Sequence, residues 1–283
     1  MLRVAFQGER GAFSEAAALQ LWGEAVEPVP LRSFEEVFRR VQEGECDRAI
    51  IPIENSLAGS VHHNYDLLLQ HELHIVGEVN LRIVHHLIAL PGTRLEDVRR
   101  VFSHPQALAQ CEQTLAAMPG VEVVPAYDTA GSVKMIREQQ LTDAAAIASE
   151  QAARLYGMEI LRSHLEDVPD NYTRFLALSR EPVVPSGPSK TSLVFAGKNV
   201  PGSLFKMLSV FALRDIDLTK IESRPLRGKP WEYLFYLDFA GSMHEERCRR
   251  AVEDLREIAS FLRVFGSYPR APQIWPNNNH QAL

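Results

Sequence analysis

Four turns in the first half of the chain place glycine, hydroxyl and amide residues where a strand gives way to a helix. They are Gly8-Glu9-Arg10-Gly11-Ala12-Phe13-Ser14, Glu54-Asn55-Ser56-Leu57-Ala58-Gly59-Ser60, Ser103-His104-Pro105-Gln106-Ala107 and Asp128-Thr129-Ala130-Gly131-Ser132. Unpaired backbone N–H groups and the positive end of the helix dipole make such turns anion sites. In open α/β sheets they lie beyond the carboxyl ends of the strands, where ligands bind. The chemistry that suits them is the holding of a small carboxylate-bearing molecule, although each turn taken singly reads better as an ordinary helix start. A fifth segment, Asp167-Val168-Pro169-Asp170-Asn171-Tyr172-Thr173-Arg174-Phe175, sets Asn, Thr and Arg directly before an apolar strand. An Arg fork beside a hydroxyl is a carboxylate clamp next to a hydrogen-bond donor. Spacing alone leaves open the plainer reading of a β-branched strand residue and an edge charge.

Other chemistries lack their signatures. Gly8-x-x-Gly11 is not the Gly-x-Gly-x-x-Gly dinucleotide fingerprint, and no Gly-Lys-Ser/Thr phosphate loop occurs. His62-His63, His85-His86 and His104 have no partners at helical metal spacing, so they read as satisfied surface or core histidines, and no metal or cofactor is expected. Cys46, Cys111 and Cys248 are odd in number and scattered, which supports neither a disulfide framework nor a zinc site. Thirty Lys+Arg against 36 Asp+Glu give a net charge of -6, without the basic footprint of a nucleic-acid binder. No apolar run approaches the ~18 residues of a membrane span. The amino end moves from Met1 straight into a strand pattern with no apolar signal core, so a cytoplasmic protein is expected.

The elements that must position these residues follow from the hydrophobic rhythm. The 283 residues suggest about two domains. Strands at Leu2–Phe6 and Asp47–Ile53 alternate with helices at Phe13–Trp22, Ser33–Gln42 and near Ser60–Gln70. A long extended stretch from Leu73 to Leu90 is followed by a strand ending at Ser103, a helix from Pro105 to Met118 and a strand at Val121–Pro125. A helix at Thr129–Gln139, a strand at Ala144–Ala148 and a helix at Glu150–Tyr156 complete the series, which predicts mostly parallel sheets with helices on both faces. Glu181 to Ser189 has linker composition, with three prolines and a glycine. After it, strand Thr191–Ala196, helix Gly202–Leu213, strands Leu218–Leu226 and Trp231–Phe239, helix Glu245–Ile258 and strand Phe261–Tyr268 give the ferredoxin-like βαββαβ order. The expected division is 1–180, a linker at 181–189, 190–270, and a tail at 271–283 without periodicity or order.

With these motifs in hand, the chain resembles the monofunctional prephenate dehydratases over roughly Leu2 to Pro269. The resemblance is carried by Phe6-Gln7-Gly8-Glu9-Arg10-Gly11-Ala12-Phe13-Ser14, by Pro52-Ile53-Glu54-Asn55-Ser56 with Gly59-Ser60, and by Ser103-His104-Pro105-Gln106-Ala107. Ala148-Ser149 and Asn171-Tyr172-Thr173-Arg174-Phe175 complete it, the last containing the Thr-Arg-Phe signature to which the family assigns its essential threonine. The carboxyl-terminal part resembles an ACT domain. Pro201-Gly202-Ser203-Leu204 stands at its Gly-Ala-Leu turn, and Leu218-Thr219-Lys220-Ile221 leads into an intact Glu222-Ser223-Arg224-Pro225. Two positions depart from the pattern: Ser203 replaces the usual Ala and Asp217 the usual Asn.

The resemblance implies an α/β fold: a two-lobed catalytic domain similar to periplasmic-type binding proteins, with crossovers near Gly77–Asn80 and Asp167–Thr173, plus the ACT domain. It implies a carbon–oxygen lyase that converts prephenate to phenylpyruvate in phenylalanine biosynthesis, without a cofactor. Thr173 is expected to hydrogen-bond the leaving hydroxyl, with Glu54 or a water as proton donor. Arg174 is expected on the pyruvyl carboxylate, and neutral donors such as Ser149, Gln106, Asn55 and helix N-terminal amides on the carboxylate that departs, where a strong cation would favour the ground state. Gly11, Ser14, Ser56, Ser103, His104, Asn171 and Phe175 join the expected substrate site. Phenylalanine is expected to bind around Pro201, Gly202, Ser203, Leu204, Asp217, Leu218, Glu222, Ser223 and Arg224 as an allosteric ligand between the ACT domains of a homodimer or homotetramer. The rival readings are an arogenate dehydratase and a non-catalytic sensor of aromatic metabolites.

Overall fold

Val4, Ala5 and Phe6 are fully buried in strand β1 (Leu2–Gln7), the apolar run that a sheet covered on both faces requires. The computed structural model describes residues 1–226, 228 and 231–272. They form two compact units, one of Met1–His71 with Val79–Leu176, the other of Glu72–Glu78 with the chain from Ala177 onward.

From β1 the chain continues through α1 (Phe13–Trp22), β2 (Val26–Leu31), α2 (Phe34–Gln42), β3 (Arg48–Asn55), β4 (Gly59–Ser60), α3 (His62–Gln70), β5 (His74–Arg82), whose residues up to Glu78 belong to the second unit, and β6 (His86–Ala89). Then come β7 (Arg100–Ser103), α4 (Pro105–Ala109), α5 (Glu112–Ala116), β8 (Glu122–Pro125), α6 (Thr129–Gln139), β9 (Ala144–Ala148), α7 (Glu150–Tyr156), β10 (Glu159–Ser163) and β11 (Tyr172–Ser179). Two sheets result, one per lobe. The first has the order β2-β1-β3-β11-β5, with β4 paired to β3; the second has the order β10-β6-β9-β7-β8. The chain leaves the first sheet after Arg82, beyond the Gly77–Asn80 expected, because Gly77–Asn80 lies inside β5. It returns between Ser163 and Tyr172.

Several expectations need correction. The second sheet is mixed: β7 runs parallel to β8 and β9, but β6 is antiparallel to both β9 and β10. Strand β2, Val-Glu-Pro-Val-Pro-Leu, was hidden by its two prolines, which the sheet accepts because β2 is an edge strand paired only with β1. β10 was also unanticipated, and only its middle is even partly buried. The helix expected over Pro105–Met118 is two short helices with a joint at Gln110 and Cys111. The stretch expected to be extended throughout Leu73–Leu90 is broken between Arg82 and His86.

The second unit carries β12 (Ser189–Ala196), α8 (Ser203–Ala212), β13 (Leu218–Pro225), β14 (Tyr233–Ala240), α9 (Glu246–Ile258) and β15 (Phe261–Pro269). The sheet order β13-β14-β12-β15, with antiparallel pairing throughout, is the ferredoxin-like arrangement. Leu193, Phe195, Leu237 and Phe239 meet Met207, Phe211, Val252 and Leu255 of the two helices in its core. Within this unit Lys190 and Glu78, 8% and 4% exposed, form an ion pair of 2.9 Å. Glu78 Oε1 also accepts the backbone N–H of Ala271, so the start of the expected tail is buried. Residues 273–283 of that tail lie outside the described residues.

Candidate active site

Strand pairing brings the polar residues of the first unit together. β3 ends at Asn55 beside the start of β11, and Ser56 N–H donates to Tyr172 O at 2.8 Å. This joins Asn55 to Asn171 and Thr173 across 116 to 118 positions of sequence. Asn55 Nδ2 donates to Asn171 Oδ1 at 2.7 Å and to Thr173 Oγ1 at 2.9 Å. Asn55 Oδ1 accepts the backbone N–H groups of Leu57 and Ala58 at 3.0 and 2.9 Å, so the amide cannot be turned over without facing its NH2 against two donors. Thr173 Oγ1 is therefore an acceptor from Asn55, and its own proton is left to donate elsewhere. Gln110, at the joint between α4 and α5 of the second lobe, closes a ring of three amides: Asn171 Nδ2 donates to Gln110 Oε1 at 2.9 Å and Gln110 Nε2 to Asn55 Oδ1 at 3.4 Å.

This cluster forms one wall of a cavity of about 310 Å³, lined by residues of both lobes. Gln7, Gly8, Ala12, Phe13 and Ser14 come from the β1–α1 turn, Asn55 from β3, and Thr173 and Phe175 from β11. His85 comes from the crossover, and His104, Gln106, Gln110, Tyr127, Asp128 and Thr129 from the second lobe. Helix α1 opens on this cavity without a side-chain cap, since Ala12 occupies its N-cap. Its first-turn N–H groups are thus available to an anion. No Lys or Arg is among the described residues that line the cavity. Burial pushes the Asp128 carboxyl above its ordinary range, against the opposing effect of the N–H groups it accepts from Glu9 and Ala130. Burial likewise lowers the pKa of His85, which is 2% exposed. The Cys111 thiol is pushed up to about 12 by burial, which makes it an unreactive core residue.

The expected site residues divide into three groups. Asn55, Thr173, Gln106, Ser14, His104 and Phe175 line the cavity, and Asn171, fully buried, braces Asn55 and Gln110 behind it. Glu54 and Arg174 do not line it. Each is half-buried and sits one position from a residue that does, and successive strand residues point to opposite faces. Ser56, Ser103, Ser149 and Gly11 have scaffold partners. Ser56 Oγ donates to Asp170 O, and Ser103 Oγ to Ile147 O at 2.6 Å. Ser149 caps α7 while donating to Gly11 O at 2.6 Å, and a Cβ on Gly11 would stand 2.7 Å from Ala152 Cα. His85 and Gln110 were missed: the His-His pair in an apolar run signalled a buried titratable group, whereas Gln110 carried no signal inside an expected helix. Among the described residues, no group of three His, Cys, Asp or Glu could hold a metal ion.

A second cavity of about 210 Å³ lies in the second unit, lined by residues 197–200, Gly202, Ser203, Leu204, Phe205, Met207, Tyr233 and Phe235. Of the residues expected to bind phenylalanine, Gly202, Ser203 and Leu204 line it. Pro201 does not, nor do Asp217, the residue before β13, and Leu218, Glu222, Ser223 and Arg224 on the edge strand β13.

The family model for prephenate dehydratase matches residues 4–183. The chain belongs to this family. It is 53% identical over 279 residues, 95% of its length and 73% of the relative's, to arogenate dehydratase/prephenate dehydratase 2, chloroplastic, of Arabidopsis thaliana. Among solved structures, prephenate dehydratase of Arthrobacter aurescens in complex with L-Phe is 34% identical, with a TM-score of 0.87 over 95% of this chain and 90% of that one. GqqA, described as a novel type of quorum quenching acylase, is 36% identical with a TM-score of 0.86 over 95% and 98%. The protein is thus a dehydratase, a hydro-lyase with a two-lobed α/β catalytic unit. The expectation of a cytoplasmic protein is corrected by the Arabidopsis relatives, several of which are chloroplastic by name.

Proposed function

We propose that the cavity between the two lobes of the first unit dehydrates and decarboxylates prephenate to phenylpyruvate. The observation that carries this reading is the fixed Asn55–Thr173 contact, which leaves the Thr173 hydroxyl as a donor on a cavity wall. In the reaction the ring C–CO2 bond breaks, its electron pair aromatises the ring, and hydroxide leaves and takes up one proton to become water. A hydrogen bond from Thr173 to the departing oxygen stabilises charge that develops only in the transition state. An alcohol is too weak an acid to supply the proton, so Thr173 assists as a hydrogen-bond donor and the departed hydroxide is neutralised by a proton from solvent. The uncapped first turn of α1 with Ser14, and Gln106 from the other lobe, are the neutral donors for the two substrate carboxylates. Arg174 and Glu54 take no direct part in this reading.

The second unit is read as an ACT domain that binds phenylalanine and regulates the reaction. Its ferredoxin-like topology, the cavity at Gly202, Ser203 and Leu204, and the L-Phe in the related Arthrobacter structure support this. The edge strand β13 carries Glu222, Ser223 and Arg224, and a second copy of the chain would complete the ligand site there.

Arogenate, with an amino group in place of the keto oxygen, is the second reading, favoured by the names of the curated relatives. The test is release of phenylpyruvate from prephenate and of phenylalanine from arogenate by the purified chain, with phenylalanine added over a concentration series. Turnover of prephenate suppressed by phenylalanine supports both assignments. Turnover of arogenate alone replaces the substrate, and turnover of neither removes the function.

A further inference from the structure

The ring of three amides has an outer anchor. Leu57 and Ala58 fix Asn55 Oδ1, which makes Asn55 Nδ2 a donor and Asn171 Oδ1 an acceptor. Asn171 Nδ2 must then donate, so Gln110 Oε1 must accept. His85 Nε2 lies 2.9 Å from that same Gln110 Oε1, and only a protonated nitrogen can sit there. Nδ1 of His85 is buried with no partner among the described residues.

We propose that His85 is a positioning residue for the reaction, its Nε2–H holding Gln110 in place and, through the amide ring, the position of Asn55 and Thr173 on the cavity wall. The inference rests on the dehydratase reading of the cavity. A histidine that only filled space there would be hard to account for: a ring of this size, packed edge-on against Phe13 at 5.5 Å, could be a phenylalanine, with no buried nitrogen to desolvate. The imidazole gives what phenylalanine cannot, a second donor to Gln110 Oε1 that holds this amide in place beside Asn171. Burial favours the neutral form, against the hydrogen bond to Gln110 and the nearby carboxylate of Glu166, which accepts the His85 backbone N–H, and alongside the repulsion of His86.

Two measurements decide it. Nitrogen-15 NMR of the full chain at neutral pH should show His85 with a proton on Nε2; a neutral Nδ1–H tautomer overturns the proposal, whether or not any substrate is turned over. In kinetics, His85→Phe keeps the ring but removes the donor, and kcat should fall by up to about 100-fold, the cost of misdirecting a reacting group, with KM within about threefold. His85→Gln, which restores an N–H donor, should recover most of that loss. A His85→Phe enzyme with wild-type kcat, or a His85→Gln enzyme no better than His85→Phe, contradicts the proposal. If neither substrate is turned over by the wild-type chain, the reading of the cavity fails, and the tautomer still tests the hydrogen-bond assignment.

Discussion

Asn55 Nδ2 stands 2.9 Å from Thr173 Oγ1, and because two backbone N–H groups hold the other end of the Asn55 amide, this contact runs in one direction only. The hydroxyl receives a hydrogen bond from the scaffold and gives its own to whatever occupies the cavity. Asn55→Asp reverses that arrangement. One carboxylate oxygen still caps Leu57 and Ala58, but the other faces Thr173 as an acceptor and draws its proton inward. We predict a fall in kcat of about 10²- to 10³-fold, the scale of losing one transition-state donor, measured at a temperature where the variant, destabilised because the new oxygen also faces Asn171 Oδ1, remains folded. Steady-state kinetics beside thermal unfolding checks this; a loss of activity that tracks loss of fold argues against it.

Gly11 tests how the lobes are held. Its φ of +87° is one that L side chains rarely adopt, and an added Cβ would stand 2.7 Å from Ala152 Cα. Gly11→Ala must displace α7 or the β1–α1 turn, where Ser149 and Gly11 O are joined. A destabilisation of about 1–3 kcal/mol is expected, measured as a lower urea midpoint. An unchanged midpoint would mean that the two lobes yield to each other freely at this point.

Acid sensitivity should carry a signature of the buried histidines. The folded-state pKa of His85 and of His86 is lowered, largely by burial, so below the ordinary value of 6.5 the unfolded chain binds protons that the folded chain does not. Stability is then full above pH 6.5 and is lost as the pH falls from 6.5 toward the lowered folded values. Urea midpoints taken at pH 7.5 and 5.5 should drop for the wild type and drop less for His85→Phe; equal drops contradict the assignment.

Much of the cavity was legible because its residues sit in turns. The turns at Gly8–Ser14, Asn55 and Gln106, and the Thr173 strand start, combine polar type with helix or strand boundaries, and strand pairing then brings Asn55 to Asn171 and Thr173. What spacing could not show is direction. Thr173 and Phe175 reach the cavity and Arg174 between them does not, a consequence of the two-residue period that no motif states. Ser103 and Ser149 show what else a hydroxyl in such a turn can do, for Ser103 at the end of β7 donates to Ile147 O of the neighbouring strand and Ser149 caps α7. Gln110 was invisible because the break between α4 and α5 is not written in glycine or proline. The βαββαβ order of the second unit was read correctly, since its apolar strands β12 and β14 and its amphipathic helix α9 are plain in the residue pattern.

The central claim is that the Thr173 hydroxyl drives departure of the substrate hydroxyl, and a pair of substitutions at that one position tests it most directly. Thr173→Val keeps the shape and β-branching and removes only the oxygen, whereas Thr173→Ser keeps the oxygen and removes a methyl. Rates of phenylpyruvate formation from prephenate should fall by about 10²-fold or more in kcat for Val, with KM little changed, and stay within about tenfold for Ser. A Val enzyme that turns over at close to the wild-type rate would contradict the account.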